Sequence, residues 1–329
     1  MSDNDRLMIT SDIRTLGLLL IDGFALMSYA SLIEPFRAAN ILAGRTLYRW
    51  VHISIDGQPV RASNGATMFA DQMVGEALDC DTLFVFAAGD PSTFADQPTF
   101  VWLRRLARAQ VRIAGVSGGP FLLARAGLLE GYRATIHWEH QAALIEAFPT
   151  LALEPILYVI DRRRMTCAGG TAGLDFAIEL IERDHGASLA AKVSEWFIRT
   201  DPRRADRPQR SSLRERHGVD DDRLLRVLAE METSVEEPRS REQLAKLAGL
   251  SVRQLERLFA SRLGRTVGQS YLDIRLAQAL QLLRTTGQAV TMVAIACGFQ
   301  SSSHFSRAFR ERYGLSPSAA RLGKLYTPV

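Results

Sequence analysis

At 329 residues, 47% hydrophobic and 23% charged, the chain has the composition of a globular protein with room for two or three cores, not of a disordered or fibrous one. Its net charge of +4 is uneven: residues 1–200 carry 18 basic and 22 acidic side chains, whereas residues 238–329 carry 14 basic against 4 acidic. A basic C-terminal block behind a mildly acidic body is the electrostatic footprint of nucleic-acid binding. Cys80, Cys167 and Cys297 are scattered without metal-ligand spacing, which argues against a disulfide framework or a zinc site, and no cofactor is expected. The first residues are polar and mixed in charge, unlike a secretory leader, and the early apolar run at 16–21 is too short to span a bilayer. A cytoplasmic protein without a membrane partner is expected.

After a polar tail at 1–12, residues 13–199 alternate apolar runs with amphipathic helices. Leu16-Gly17-Leu18-Leu19-Leu20-Ile21 predicts a first strand, followed by Asp22-Gly23 and a helix to about Asn40. Further strands are predicted at 50–55, 82–87 and 111–116, with a helix at 100–109 before the last of them. That strand runs straight into Ser117-Gly118-Gly119 and another helix. A helix near 138–148, a strand near 157–160 and helices over 173–184 and 189–199 complete the segment. Continuous apolar strands between helices imply a mostly parallel sheet covered on both faces, an α/β sandwich. Residues 200–223 open with a polar stretch containing Pro202 and Pro208 and read as an interdomain linker.

Residues 224–323 predict an all-α domain with two helix–turn–helix units, ahead of a tail at 324–329. Leu255, Arg257, Phe259 and Gly264 of the first unit match Phe305, Arg307, Phe309 and Gly314 of the second at a constant offset of 50. A short apolar helix, a Gly turn and an Arg-bearing second helix form a DNA reader, and two in tandem suit two stretches of major groove. Ser240 with Gln243 forms a capping box, Gly249 makes the turn, and Ser251, partnered by Gln254, caps the first recognition helix. With Leu255, Leu258 and Phe259 packed inward, Arg253, Glu256 and Arg257 project toward base edges; Arg suits guanine and Glu suits cytosine N4. In the second unit Ser301 caps the helix, and Ser302, Ser303, Ser306 and Arg307 face outward. Small hydroxyls discriminate bases less well, so the first unit should set most of the sequence preference and the second should anchor on phosphates.

The spacing of the two units, the connecting Arg275-Leu276-Ala277-Gln278-Ala279-Leu280-Gln281-Leu282-Leu283, and Gly298-Phe299 through Pro317 resemble the AraC/XylS family of bacterial transcription regulators. The resemblance covers about residues 224–323. It implies a regulator, more often an activator, that inserts two recognition helices into successive major-groove segments of double-stranded DNA and works with RNA polymerase. Serines in the second recognition helix depart from the bulkier amide readers common in that family.

Gly115-Val116-Ser117-Gly118-Gly119 fits the G-x-S-x-G pattern of a nucleophile elbow between strand and helix. A serine hydrolase or amidase using Ser117 is therefore the alternative, with His137, His140 or His185 as base and Asp161, Asp175 or Glu139 as orienter. A tight strand-to-helix turn also wants small residues for steric reasons alone. Over residues 13–199, the elbow, Asp22-Gly23-Phe24, Glu34-Pro35-Phe36, Thr135-Ile136-His137-Trp138 and Thr171-Ala172-Gly173 resemble the PfpI-like class I glutamine-amidotransferase superfamily, which implies a flavodoxin-like α/β fold. Its enzymes carry Cys at the elbow, where this chain has Ser117, and Ser28 stands where an acidic partner often occurs. No catalysis is expected, with Ser117 and His137 left as pseudo-catalytic positions in a ligand sensor.

The fusion, the run at 48–63 and the Ser117-Gly118-Gly119-Pro120 elbow resemble regulators of choline, glycine betaine and carnitine catabolism. That resemblance implies a small nitrogenous effector, with Ser117, Gly118 and His137 near a carboxylate and Trp138, Phe121, Tyr29 and Phe24 offering aromatic surface to the cation. It also implies a homodimer paired through the α/β half.

Overall fold

Period-two alternation along the central strands sets the architecture. In β1 (Arg14–Leu20), Leu16, Leu18 and Leu20 enter one hydrophobic layer while Leu19 enters the other. The computed structural model describes residues 13–199 and 201–322, and the chain divides into two compact units between Gln209 and Arg210.

In the first unit β1 is followed by α1 (Leu26–Ala43), β2 (Tyr48–Ser54), β3 (Val60–Arg61), β4 (Thr67–Met68), β5 (Gln72–Met73), β6 (Thr82–Ala87), α2 (Gln97–Arg108), β7 (Arg112–Ser117) and α3 (Gly119–Arg125). Then come β8 (Arg133–Ala134), α4 (Gln141–Ala147), β9 (Ala152–Leu153), β10 (Tyr158–Asp161), β11 (Arg164–Cys167), α5 (Ala172–His185) and α6 (Ala187–Trp196). The main sheet has the order β10-β11-β7-β6-β1-β2-β5, and every neighbouring pair is parallel except β10 with β11. Side chains of α1, α5 and α6 fill one layer and those of α2, α3 and α4 the other, as expected for an α/β sandwich with a mostly parallel sheet. From β1 the chain first adds β2 on one side and later β6 on the other, so the strand order reverses there, the kind of position at whose carboxyl ends open α/β sheets bind ligands.

Two local differences have physical causes. The sequence reading has no strand at β11, because Arg162-Arg163-Arg164 looks like a polar loop; Arg162 takes a left-handed turn (φ 55°), and Met165 and Cys167 enter the core. The helix expected over 138–148 begins as a 3₁₀ turn at Trp138–His140 before α4.

The second unit contains α7 (Leu213–His217), α8 (Asp222–Thr233), α9 (Arg241–Ala248), α10 (Val252–Leu263), α11 (Val267–Thr285), α12 (Val290–Ala296), α13 (Ser302–Tyr313) and α14 (Pro317–Arg321). Capping boxes start α7, α9, α10 and α11, at Ser212/Glu215, Ser240/Gln243, Ser251/Gln254 and Thr266/Gln269. Gly264 and Gly314, the pair offset by 50, both close their helices in the left-handed conformation that glycine tolerates.

The segment assigned to a linker at 200–223 does not behave as one stretch. Ala205 O accepts from Leu157 N at 3.0 Å and Gln209 reaches Ile136 O at 2.8 Å within the first unit, while Leu213 and Val219 join the core of the second. Low hydrophobicity hid this because the attachment of 201–209 is made by polar groups.

Candidate functional site

In the second unit α9 and α10 meet across Gly249, which is left-handed (φ 66°). Leu255 and Phe259 are fully buried, which turns Arg253 and Arg257 of α10 to solvent. Glu256 differs from expectation. Its carboxylate accepts from Val267 N at 3.1 Å and stands 3.7 Å from Arg241, so it caps the start of α11 and is half-buried. In α13, Ser302, Ser303 and Arg307 are exposed, Ser306 is half-buried, and Phe305 and Phe309 are fully buried.

His304 is a residue the sequence reading missed. It lies exposed in the first turn of α13, its ring centroid 5.7 Å from that of Phe299. The offset of 50 holds the signal: position 254 carries the glutamine of a capping box, whereas position 304 carries a histidine that closes no such box and keeps its ring free of that duty.

The two readers are tied into one frame through α11. Asp273 pairs with Arg265, which follows α10, and accepts from Arg312 of α13 at 3.1 Å. Arg275 donates to Cys297 O at 2.8 Å and Gly298 O at 2.7 Å while its guanidinium lies 4.1 Å from the Phe299 ring centroid. Gly298 is left-handed (φ 71°), and a β-carbon there would sit 2.6 Å from Val235 O. Arg275→Ala would strand two carbonyls at the second turn and remove the stacked cation. It should destabilise this unit by about 3 kcal/mol in urea unfolding.

In the first unit the carboxyl end of β7 forms the elbow. Ser117 is left-handed (φ 59°) and 6% exposed, an uncommon conformation for a non-glycine residue. A β-carbon at Gly169 would lie 2.6 Å from Ser28 Oγ and 2.7 Å from Ser117 Cβ, so this glycine lets three segments converge. Ser28 Oγ accepts from Gly170 N at 2.7 Å, and His137 N donates to Ser117 O at 3.3 Å. Of the expected ligand residues, the fold gathers Ser117, Gly118, His137 and Trp138, with the last two rings 5.5 Å apart. Gly118 N–H is already donated to Ala87 O at 2.8 Å, so it has no hydrogen to offer a ligand.

Tyr29 and Phe24 lie edge-to-face at 5.9 Å in the layer of α1, whereas Phe121 packs against Phe148 at 5.8 Å in the opposite layer. Phe24 is fully buried and Phe121 is 1% exposed, so neither shows a ring face to solvent. Beside Tyr29 stands a group absent from the sequence reading. Tyr29 OH is 2.8 Å from His52 Nε2, and His52 Nδ1 is 3.3 Å from Asp71 Oδ2.

Of the hydrolase candidates, Asp161, Asp175 and His185 are engaged elsewhere. Asp161 accepts from Arg133 N and pairs with Arg162; Asp175 pairs with Arg199 and Arg203; the ring of His185 packs edge-on to Tyr48 at 5.3 Å. Glu139 lies 3.6 Å from His137 Nδ1, and among the described residues no hydrogen bond joins Ser117 Oγ to a histidine.

Burial, reinforced by His137, pushes the His140 imidazole down from 6.5 to about 4, and burial lowers His137 as well. Between these two values the unfolded chain binds the proton better, so stability present at neutral pH is lost as pH falls from 6.5 toward 4. The His140 share should reach roughly 3 kcal/mol, read as a falling urea midpoint between pH 7 and 4.5 that flattens in His140→Gln.

A helix-turn-helix domain model matches residues 244–322, and the DJ-1/PfpI family model matches residues 16–183. The chain is 42% identical to the HTH-type transcriptional regulator GlxA of Rhizobium meliloti (strain 1021), over 94% of this chain and 96% of that one. The chain belongs to the HTH-type transcriptional regulators that carry a DJ-1/PfpI domain. This regulator is also similar to the HTH-type transcriptional regulator CdhR of Pseudomonas aeruginosa, 42% identical over 92% of this chain and 90% of that one. Among solved structures it resembles an AraC family transcriptional regulator from Pseudomonas putida, with 26% identity and a TM-score of 0.52, covering 56% of this chain and 99% of that one. Sequence-specific DNA binding through an AraC-type domain is thus the regulator's activity. Among the described residues no helix is long and apolar enough to cross a membrane.

Proposed function

We propose that this regulator activates transcription in response to a small nitrogenous metabolite held beside Ser117. The observation that carries the reading is the elbow: Ser117 keeps the left-handed turn that presents a side chain at the sheet's carboxyl end, while its neighbours bond elsewhere than to its hydroxyl. A serine needs a well-placed base to act as a nucleophile, so the arrangement favours binding over catalysis. Ser117 Oγ and the His137 ring supply polar contacts, and Trp138 and Tyr29 supply aromatic surface for a quaternary ammonium or an amino acid. Phe24, Phe121 and Gly118 are left to hold the pocket's shape. Glycine betaine, dimethylglycine, carnitine and arginine are the compounds to titrate calorimetrically into the full chain. One of them should bind, and Trp138→Ala should weaken it at least tenfold; failure of all four would sink the ligand class. Ser117→Ala tests the enzyme reading, which requires a hydrolytic activity that this variant loses.

On DNA, Arg253 and Arg257 read bases while Ser302, Ser303, Ser306 and Arg307 fix the second helix on the backbone. RNA polymerase is the further partner of an activator, and the cytoplasm is where a bacterial chromosome is met. Pairing through the α/β unit is supported by Met27 and Ile41 on α1, and Trp196 and Ile198 at the end of α6, all large, apolar and exposed on mutually packed helices. Light scattering of Ile41→Glu against the unchanged chain tests it.

A further inference from the structure

The chain passes from the α/β unit to the reader through residues 201–210, and besides the backbone bond of Leu157 N to Ala205 O, side chains bolt 201–209 to the α/β unit at two places. At the first, Asp175, whose side chain is 1% exposed, accepts from Arg203 Nη2 at 2.6 Å, Nε at 3.0 Å and the backbone N at 3.1 Å, and also pairs with Arg199. Arg203 Nη2 donates onward to Thr171 Oγ1 at 2.9 Å. At the second, Gln209 Nε2 donates to Ile136 O at 2.8 Å, Ile156 O at 2.9 Å and Thr135 Oγ1 at 3.0 Å, while Pro208 bridges to Ile156.

Both bolts reach segments that converge on the elbow. Ile136 immediately precedes His137, whose N–H donates to Ser117 O. Thr171 immediately follows Gly170, whose N–H donates to Ser28 Oγ, and Gly169 beside it packs on Ser117 and Ser28. We propose that residues 201–209 are the transducing strap of this regulator: displacement of the 135–138 or 169–171 wall loosens or tightens Gln209 and Arg203, and the strap's state sets DNA affinity. Apart from the backbone bond of Leu157 N to Ala205 O and the bridge of Pro208 to Ile156, its bonds to the α/β unit involve side chains, and none lies within the strand pairings of the main sheet. The proposal rests on the two-unit regulator reading but not on any ligand's identity. A switch of this kind works by shifting the balance of two strap states, each with its own DNA affinity.

The test therefore contains no effector. Trypsin cleavage after Arg204, which is exposed and followed by Ala205, reports strap release in the full chain, and fluorescence anisotropy reports affinity for a duplex that the full chain has selected from a random pool. Gln209→Ala and Arg203→Met should each speed cleavage at least fivefold and change duplex affinity at least fivefold, both in the same direction. Ser28→Ala, which removes the acceptor of Gly170 N–H at the elbow, should speed cleavage at least threefold. Asp206→Ala, at an exposed strap position, should alter neither readout. Faster cleavage with affinity unchanged within twofold would show a merely structural strap and overturn the proposal. Unchanged cleavage in Gln209→Ala and Arg203→Met would overturn it as well, and unchanged cleavage in Ser28→Ala would overturn its link to the pocket. Failure of the betaine-class titration would leave each of these outcomes readable.

Discussion

Gly119→Ala should unfold the α/β unit under conditions where the unchanged chain is folded. A β-carbon at position 119 would lie 2.0 Å from Val85 O, inside the hydrogen-bonded sheet, and the obstacle is backbone with no rotamer to escape into. Relief needs β6 and α3 to separate, which opens the layer containing Leu83, Val85, Phe121 and Leu122. Overpacking of this kind typically costs 1–3 kcal/mol where side chains give way; against fixed backbone we expect more than about 4 kcal/mol. Gly127→Ala is the control: it is left-handed (φ 72°) but faces open space, so it should cost only about 1 kcal/mol. Urea unfolding of both variants, followed by circular dichroism, separates the close approach of strand and helix from ordinary glycine conformational preference. Similar midpoints for the two variants would contradict the close-packing account. The result bears on function because Ser117, with its left-handed turn, stands two residues earlier on the same elbow.

That contact shows what could and could not be read from the amino acids. Gly115-Val116-Ser117-Gly118-Gly119 announced a strand-to-helix elbow because only small residues fit there, and the structure supplies the reasons at Val85 O and at Pro120, which a β-carbon on Gly115 would strike. The paired readers were equally plain, since burial of Leu255, Phe259, Phe305 and Phe309 follows from helical spacing alone. Long-range polar partnerships were not legible. Nothing near Gln209 in the sequence points to Ile136, and nothing near His52 points to Tyr29, because both pairs are brought together only by the tertiary fold. The bond of Glu256 was hidden for the same reason: helical spacing turned it outward, but the start of α11 comes back to meet it at Val267 N. Aromatic residues misled in another way. Phe24, after β1, and Phe121, on α3, sit in segments expected to border the elbow, yet the two segments pack on opposite faces of the sheet, where both rings fill core.

The reassignment of Glu256 sharpens the expectation for DNA. Arg253 and Arg257 are one helical turn apart on α10, both exposed, and among the described residues of this unit neither guanidinium forms an ion pair. Each is free to make the bidentate contact with guanine that carries about 1–3 kcal/mol of discrimination. Arg253→Ala and Arg257→Ala should therefore each weaken specific binding roughly tenfold to a hundredfold and relax preference at one base pair. Arg307→Ala, if it meets phosphate, should weaken binding to all duplexes alike and reduce the salt slope by about one. Glu256→Gln distinguishes the two roles open to that residue: an amide oxygen can still accept from Val267 N, so a capping role predicts unchanged base preference and a stability loss of about 1 kcal/mol or less. A base-reading role predicts changed preference at a C·G pair with stability intact. Anisotropy titrations of all four variants against a selected duplex and its single-base-pair substitutions, at two salt concentrations, decide among these. If Arg253→Ala and Arg257→Ala both kept the original sequence preference while Arg307→Ala lost it, the second unit would be the specific reader and the assignment of roles would reverse.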